Sequence, residues 1–179
     1  ALGWQASATG GQSTATGRQA SASGFQSSAY GQSANASGAQ SFAGGFSAAA
    51  SGATSTALGN AAVASGNDGV AIGDQALSSG LNSTSVGSES QATQAGTTAI
   101  GWQAAATGVR SQAFGHLAAA SGERSLAVGE AAAASGATSI AVGNLSQASA
   151  LDAVAMGNGA VASDEDAVAI GQTAVASGF

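Results

Sequence analysis

Residues 57–73 read Ala-Leu-Gly-Asn-Ala-Ala-Val-Ala-Ser-Gly-Asn-Asp-Gly-Val-Ala-Ile-Gly, with glycines at 59, 66 and 73 standing seven apart. Outward from this stretch the same step runs from Gly3 to Gly178 without insertion or deletion. It marks 26 positions, of which glycine fills 23; Gln94, Ala150 and Asp164 are the exceptions. The residue before the glycine alternates between a large apolar side chain, as in Ala57-Leu58-Gly59 and Ala71-Ile72-Gly73, and a hydroxyl, as in Ala64-Ser65-Gly66. The true period is therefore fourteen, or about thirteen units. A fixed period over the whole chain is the signature of a repeat architecture, in which each unit is stable only through its neighbours.

Within each half-unit, positions are counted back from the glycine. Position −2 is alanine in 24 of 26 cases, the others being Ser78 and Ser85, and position −4 is always Ala, Ser, Thr or Gly. Positions −3 and −1 vary and admit bulky residues. Alternation with period two marks a strand whose two faces meet different surroundings, and the face restricted to small residues has no room. All 12 charged residues lie at the glycine position or one or two residues after it. So do His116, Trp4, Trp102, Phe25 and Phe46. That window reads as a turn, with glycine expected to supply the backbone freedom of the corner.

Two short strands and two turns per fourteen residues describe one coil of a flattened parallel β-solenoid. Coils stacked at ~4.8 Å would make a rod on the order of 60 Å long, and a single repetitive domain is expected over residues 1–179. A heptad coiled coil fits worse, since glycine in every second turn costs ~1 kcal/mol each relative to alanine. Silk-like disorder fits worse too, because the register is unbroken and charge is confined to one window.

Composition excludes several functions. Without cysteine or proline there is neither a disulfide framework nor a thiolate metal site. A net charge of −6 with only 3 basic residues argues against nucleic acid as a partner. No run approaches the ~20 apolar residues of a spanning helix. His116 stands without a neighbouring cysteine and reads as a solvated surface histidine. Asp164-Glu165-Asp166 lacks the spacing of a calcium loop and reads as a solvated acidic corner. No catalytic residue, metal site or cofactor is expected, and the chain reads as no enzyme.

The outward positions carry the functional signal. Position −1 of one half is Ser or Thr in all 13 units, from Thr9 to Ser177. In the other half it is large and apolar in 11 of 13: Leu2, Tyr30, Leu58, Ile72, Val86, Ile100, Phe114, Val128, Val142, Met156 and Ile170. Thr16 and Gly44 interrupt this row, and Phe42 is expected to fill the gap at Gly44. Burying eleven such side chains contributes at most about 20 kcal/mol per chain. An uncovered row of that length exceeds what soluble monomers tolerate. Self-association about a symmetry axis is the simplest cover, and two, three or four chains all satisfy it.

The runs Gly69-Val70-Ala71-Ile72-Gly73, Thr138-Ser139-Ile140-Ala141-Val142-Gly143-Asn144-Leu145-Ser146 and Ala167-Val168-Ala169-Ile170-Gly171 resemble the head repeats of trimeric autotransporter adhesins, typified by the Yersinia adhesin A head. The resemblance covers the whole chain. It implies a left-handed parallel β-roll, three chains around one axis, and display on the outer surface of a Gram-negative bacterium. The stalk and the membrane-embedded β-barrel anchor of such proteins lie outside this sequence, which is expected to be a piece of a longer chain. Heads of this kind bind host extracellular matrix or cell-surface proteins, or one another in autoagglutination. The collagen-associated form of the repeat, Asn-Ser-Val-Ala-Ile-Gly-x-x-Ser, is not fully reproduced in any unit; residues 138–146 and 82–90 come nearest.

The corner aromatics Trp4, Phe25, Phe46 and Trp102 are the candidate ligand contacts, because exposed aromatics favour binding hot spots. The competing role for the tryptophans is packing against an adjacent corner or a neighbouring chain. Two other readings of the chain are an ice-binding solenoid, suggested by the Ser/Thr row, and a purely structural spacer of a surface fibre.

Overall fold

The computed structural model describes residues 1–178. These residues form a parallel β-solenoid of about twelve turns with 14-residue coils, and they contain no helix. Contacts divide them into two compact units, Ala1–Glu89 and Ser90–Phe179, each built on the same plan.

In the first unit the three-residue strands Thr14–Thr16, Ser28–Tyr30, Phe42–Gly44, Thr56–Leu58, Val70–Ile72 and Thr84–Val86 form one parallel sheet. The two-residue strands Ser7–Ala8, Ser21–Ala22, Asn35–Ala36, Ala49–Ala50, Val63–Ala64 and Leu77–Ser78 form the other. In the second unit the three-residue strands are Thr98–Ile100, Gln112–Phe114, Leu126–Val128, Ile140–Val142, Val154–Met156 and Val168–Ile170. Two-residue strands run from Gln91–Ala92 through Ala133–Ala134 to Val175–Ala176. Within each unit the register is fourteen, as in Leu58↔Ile72 and Val142↔Met156. Each residue therefore lies directly over its counterpart in the next coil.

The small positions face inward, as the alternation requires. Alanines at −2 and −4 form one core cluster per unit, nearly all of them fully buried. Among the described residues no fully buried side chain is larger than threonine, and that one is Thr97. Such a core gains little per residue from apolar burial. Its strength is the backbone ladder that joins coil to coil within each unit. Ser78, at an alanine position, fits because Gly69 leaves room beside it; a Cβ on Gly69 would come within 2.9 Å of the Ser78 hydroxyl.

Most buried serines at −4 are satisfied within their own turn, while Ser111 donates to Ala120 O, nine residues on, at 2.9 Å and the covered Ser13 hydroxyl has no partner. Ser27, Ser55 and Ser139 each donate to the carbonyl three residues earlier, at 2.7–2.8 Å, and Thr97 donates to Gln94 at 2.7 Å. Buried hydroxyls so paired incur no desolvation penalty, and they tie the end of each turn to the strand that follows.

The corners differ from the expectation that glycine alone supplies their freedom. Two residues after the repeat glycine, the chain takes left-handed φ of 51–60° with ordinary side chains, including Gln5, Thr54, Arg110 and Leu145. Each such residue costs roughly 1 kcal/mol or more. Offsetting this, the turn closes on itself and onto the preceding coil: Ala20 N donates to Gly17 O at 3.3 Å and Gln19 N to Trp4 O at 2.8 Å.

The repeat glycines form two classes. Those after the apolar position, such as Gly17 and Gly73, have φ of 123–141°. Those after Ser or Thr have no positive φ, and glycine is favoured there by crowding: a Cβ on Gly10 would lie 1.9 Å from the carbonyl oxygen of Gly24. All three exceptions, Gln94, Ala150 and Asp164, fall in this second class and none has positive φ. Gly96, two residues after Gln94, occupies the left-handed corner position with φ of 67°. Glycines such as Gly24 and Gly122 donate to the alanine carbonyl of the next coil at 3.3 Å. Among the described residues no equivalent bond is made by Gln94, Ala150 or Asp164. The residue before each exception keeps its ladder bond, Ser149 N to Ala162 O and Ser163 N to Ala176 O at 3.0 Å and Thr93 N to Ala106 O at 3.3 Å, so only the second bond to that carbonyl is missing.

Candidate adhesive surface

The apolar −1 residues stand on the outward face of the three-residue-strand sheets. In the first unit Tyr30, Leu58, Ile72 and Val86 share this row with Thr16 and Gly44, and Leu2 joins it by a bridge to Thr16. In the second unit Ile100, Phe114, Val128, Val142, Met156 and Ile170 are in unbroken register. All the large apolar members are half-exposed or exposed, while Gly44 is buried. Phe42 does cover Gly44: a Cβ there would lie 2.9 Å from the Phe42 ring, which also packs on Tyr30 at 5.9 Å between centroids.

Beside this row lies a second outward row, at −3. In the second unit it continues from Gln112 into Leu126, Ile140, Val154 and Val168, so that residues 126–170 present an apolar face two residues wide. Sequence reasoning stopped at the −1 row and missed this widening. Its signal was present in the triplets Leu126-Ala127-Val128, Ile140-Ala141-Val142 and Val154-Ala155-Met156.

The corners carry stacked polar ladders. Gln26 donates to Gln12 at 2.8 Å and Gln40 to Gln26 at 3.2 Å, and Gln19 donates to Gln5 at 3.1 Å. Asn60 donates to Asp74 at 2.5 Å. Thr54 and Thr138 bond Asp68 and Asp152, one coil further on. Acidic corner residues thus find donors in the neighbouring coil.

The four candidate aromatics all lie on corners and remain about half exposed or more. They do not converge. Trp4, Phe46 and Trp102 occupy the corner after the apolar strand and Phe25 the opposite one, where its ring lies over Gly11. Arg18 sits 5.2 Å from the Trp4 ring centroid, a cation–π contact. Trp102 stacks on His116 at 4.6 Å with a 19° tilt between planes. Each tryptophan therefore packs on the adjacent corner and still offers open ring surface. His116 is not simply solvated: besides the stack, its Nδ1 lies 3.4 Å from Glu130, and its Nε2 is covered and without a hydrogen-bond partner. Among the described residues there is no enclosed pocket and no cluster of three potential metal ligands.

A family model described as the YadA head domain repeat matches at residues 1–20, 22–48, 50–76, 78–104, 106–132, 120–146, 134–160, 148–174 and 162–178. The chain belongs to the YadA head repeat family. No curated protein matches it. Most matched segments span two coils, so the family's unit coincides with the fourteen-residue step seen in the sheets. Family membership points to an adhesin-type role for this head, and the YadA head repeat is not known as an enzyme. Charge on the head is uneven: all nine acids lie at residue 68 or beyond, while residues 1–67 carry Arg18 alone.

Proposed function

We propose that this head is the adhesive tip of a trimeric autotransporter adhesin, displayed on the outer membrane of a Gram-negative bacterium. In this reading three copies of a left-handed β-roll meet around one axis through the row from Leu2 to Ile170. The assembled corners contact a host matrix or cell-surface protein, or another head during autoagglutination. One observation carries the proposal: a registered outward apolar row accompanies repetitive exposed corners and no enclosed pocket. Affinity then comes from many weak contacts along a repetitive surface, which multivalency raises without any deep site. The candidate contacts are Trp4, Phe25, Phe46 and Trp102.

Sedimentation equilibrium and a plate assay on matrix proteins and cells test this together. The expected outcome is a trimer that binds at least one surface. Monomers at micromolar concentration would overturn the assembly. A trimer that binds no matrix protein, no cell and no other head would leave the structural spacer.

The Ser/Thr row favours ice binding less well. Its members other than the half-buried Thr93 are exposed, but the neighbouring outward row mixes Asn35, Val63, Leu77 and Gln91, which spoils a flat lattice match.

A further inference from the structure

We infer that the corner edge carrying Arg110, Arg124, Thr138, Asp152 and Asp166 is a self-complementary contact, through which two heads join antiparallel about a two-fold axis at Thr138. The inference rests on the adhesive reading and names the surface by which one head meets another. These five residues, all in the second unit, hold the left-handed corner position in consecutive coils, with φ of 54–60°. Backbone bonds fix the order of the rungs. Arg124 N donates to Val109 O at 2.8 Å, Thr138 N to Glu123 O at 2.7 Å, and Asp152 N and Asp166 N to Ala137 O and Leu151 O at 3.0 Å. Read along the edge, the charges therefore run plus, plus, neutral, minus, minus. The four charged side chains are exposed and Thr138 is half-buried.

That order selects the partner. Turned end for end, the row is its own complement: Arg110 meets Asp166 of the second copy and Arg124 meets Asp152, and the two-fold axis repeats both pairs. Both copies share one rung spacing, so all of these pairs come into register together. A slip of one coil keeps only two of them, and a parallel alignment sets like charge against like. A uniformly charged partner is repelled along half of the row. Val109 and Leu151 fall opposite Glu165 and Glu123 of the second copy, so no acid is set against another. The charges are not consumed within the chain. Among the described residues Arg110 has no ion pair, and Arg124 touches Glu123 through one nitrogen at 3.6 Å with both side chains more than half exposed. Asp152 accepts from Thr138 and keeps further lone pairs open. The same corner of the first unit is unlike this one: Gln12, Gln26 and Gln40 bond in series there, and Asp68 is its one charge. Exposed ion pairs are individually weak, so the contact gains strength from many heads displayed on one surface.

The test displays the full chain on fluorescent beads and counts bead–bead association in about 0.15 M and about 1 M salt, between which the Debye length falls from about 8 to about 3 Å. Two double variants each reverse one end of the row: Arg110→Glu with Arg124→Glu, and Asp152→Arg with Asp166→Arg. Acids and arginines both occupy left-handed corners in the native chain, as Glu89 and Arg110 do with φ of 57° and 58°. Both variants should therefore fold, which circular dichroism checks. Native beads should associate at the lower salt and disperse at the higher. Each variant alone should lose association by roughly tenfold or more, although one is more acidic than the native chain and the other less. Beads of the two variants mixed in two colours should associate again, because every pair then joins opposite signs. Variants that associate with themselves, a mixture that stays dispersed, or native association indifferent to salt would overturn the inference. Native beads that cling to one another independently of this corner leave the adhesive reading standing. Native beads that hold neither one another nor any cell or matrix protein overturn both.

Discussion

The outward faces of the three-residue-strand sheets differ between the two units, while their interiors do not. In residues 1–89 the −3 row is mostly hydroxyl-bearing, with Thr14, Ser28, Thr56 and Thr84 beside Phe42 and Val70. In residues 126–170 it is Leu126, Ile140, Val154 and Val168, next to Val128, Val142, Met156 and Ile170. Beneath both faces lies the same column of alanine with buried serine. The interior is constrained by coil-on-coil stacking, which is identical everywhere. The exterior answers only to whatever covers it, and is free to vary. The second unit therefore presents the wider outward apolar face.

The largest effect tests the sameness of the interiors. Ala57→Leu and Ala127→Leu each force three extra heavy atoms into a column with no fully buried side chain larger than threonine. Overpacking of an ordinary core costs about 1–3 kcal/mol, occasionally more, and here the rigid ladder should place both at the upper end. Thermal unfolding should show similar losses; a tolerant Ala127 beside an intolerant Ala57 would mean the two interiors are not equivalent.

A moderate effect probes the difference between the exteriors. Ile140→Ser should weaken chain association by about 1–2 kcal/mol per subunit, whereas Thr56→Ser should change it little. Sedimentation equilibrium on both variants decides, and equal effects would show that the −3 row is not part of the contact.

The smallest effect concerns corners, which both units share. Leu145 is left-handed at φ 57° and exposed. Leu145→Gly should relieve up to about 1 kcal/mol of strain, partly offset by the entropy glycine gains in the unfolded chain. A small rise in melting temperature is expected. A clear fall would mean that the Leu145 side chain is buried against a neighbour in the assembly.

Much of this was legible in the residues. The small face, the outward apolar row, the corner position of every charge and the filling of Gly44 by Phe42 all follow from periods of two and fourteen. The two glycine classes were not, because a positive φ and a steric exclusion leave the same letter in the sequence. Only backbone geometry separates Gly73, held by its dihedral as well as by the carbonyl of Gly87, from Gly66, held by the carbonyl of Gly80 alone. The stack of Trp102 on His116 was hidden for a different reason. Fourteen-residue register aligns the two corners, but which way a ring turns depends on the side chains around it.

By itself the sequence determined the coil: small side chains at every second position force them inward, and a constant step leaves no other stacking register. What only the tertiary structure decided is how each corner and each exception is accommodated. Those outcomes depend on distances between coils, such as the second ladder bond missing at Ala150, the hydroxyl of Ser78 lodged beside Gly69 and the carboxylate of Glu130 set near His116. Repetition specifies the lattice, and contact between neighbouring rungs specifies its departures.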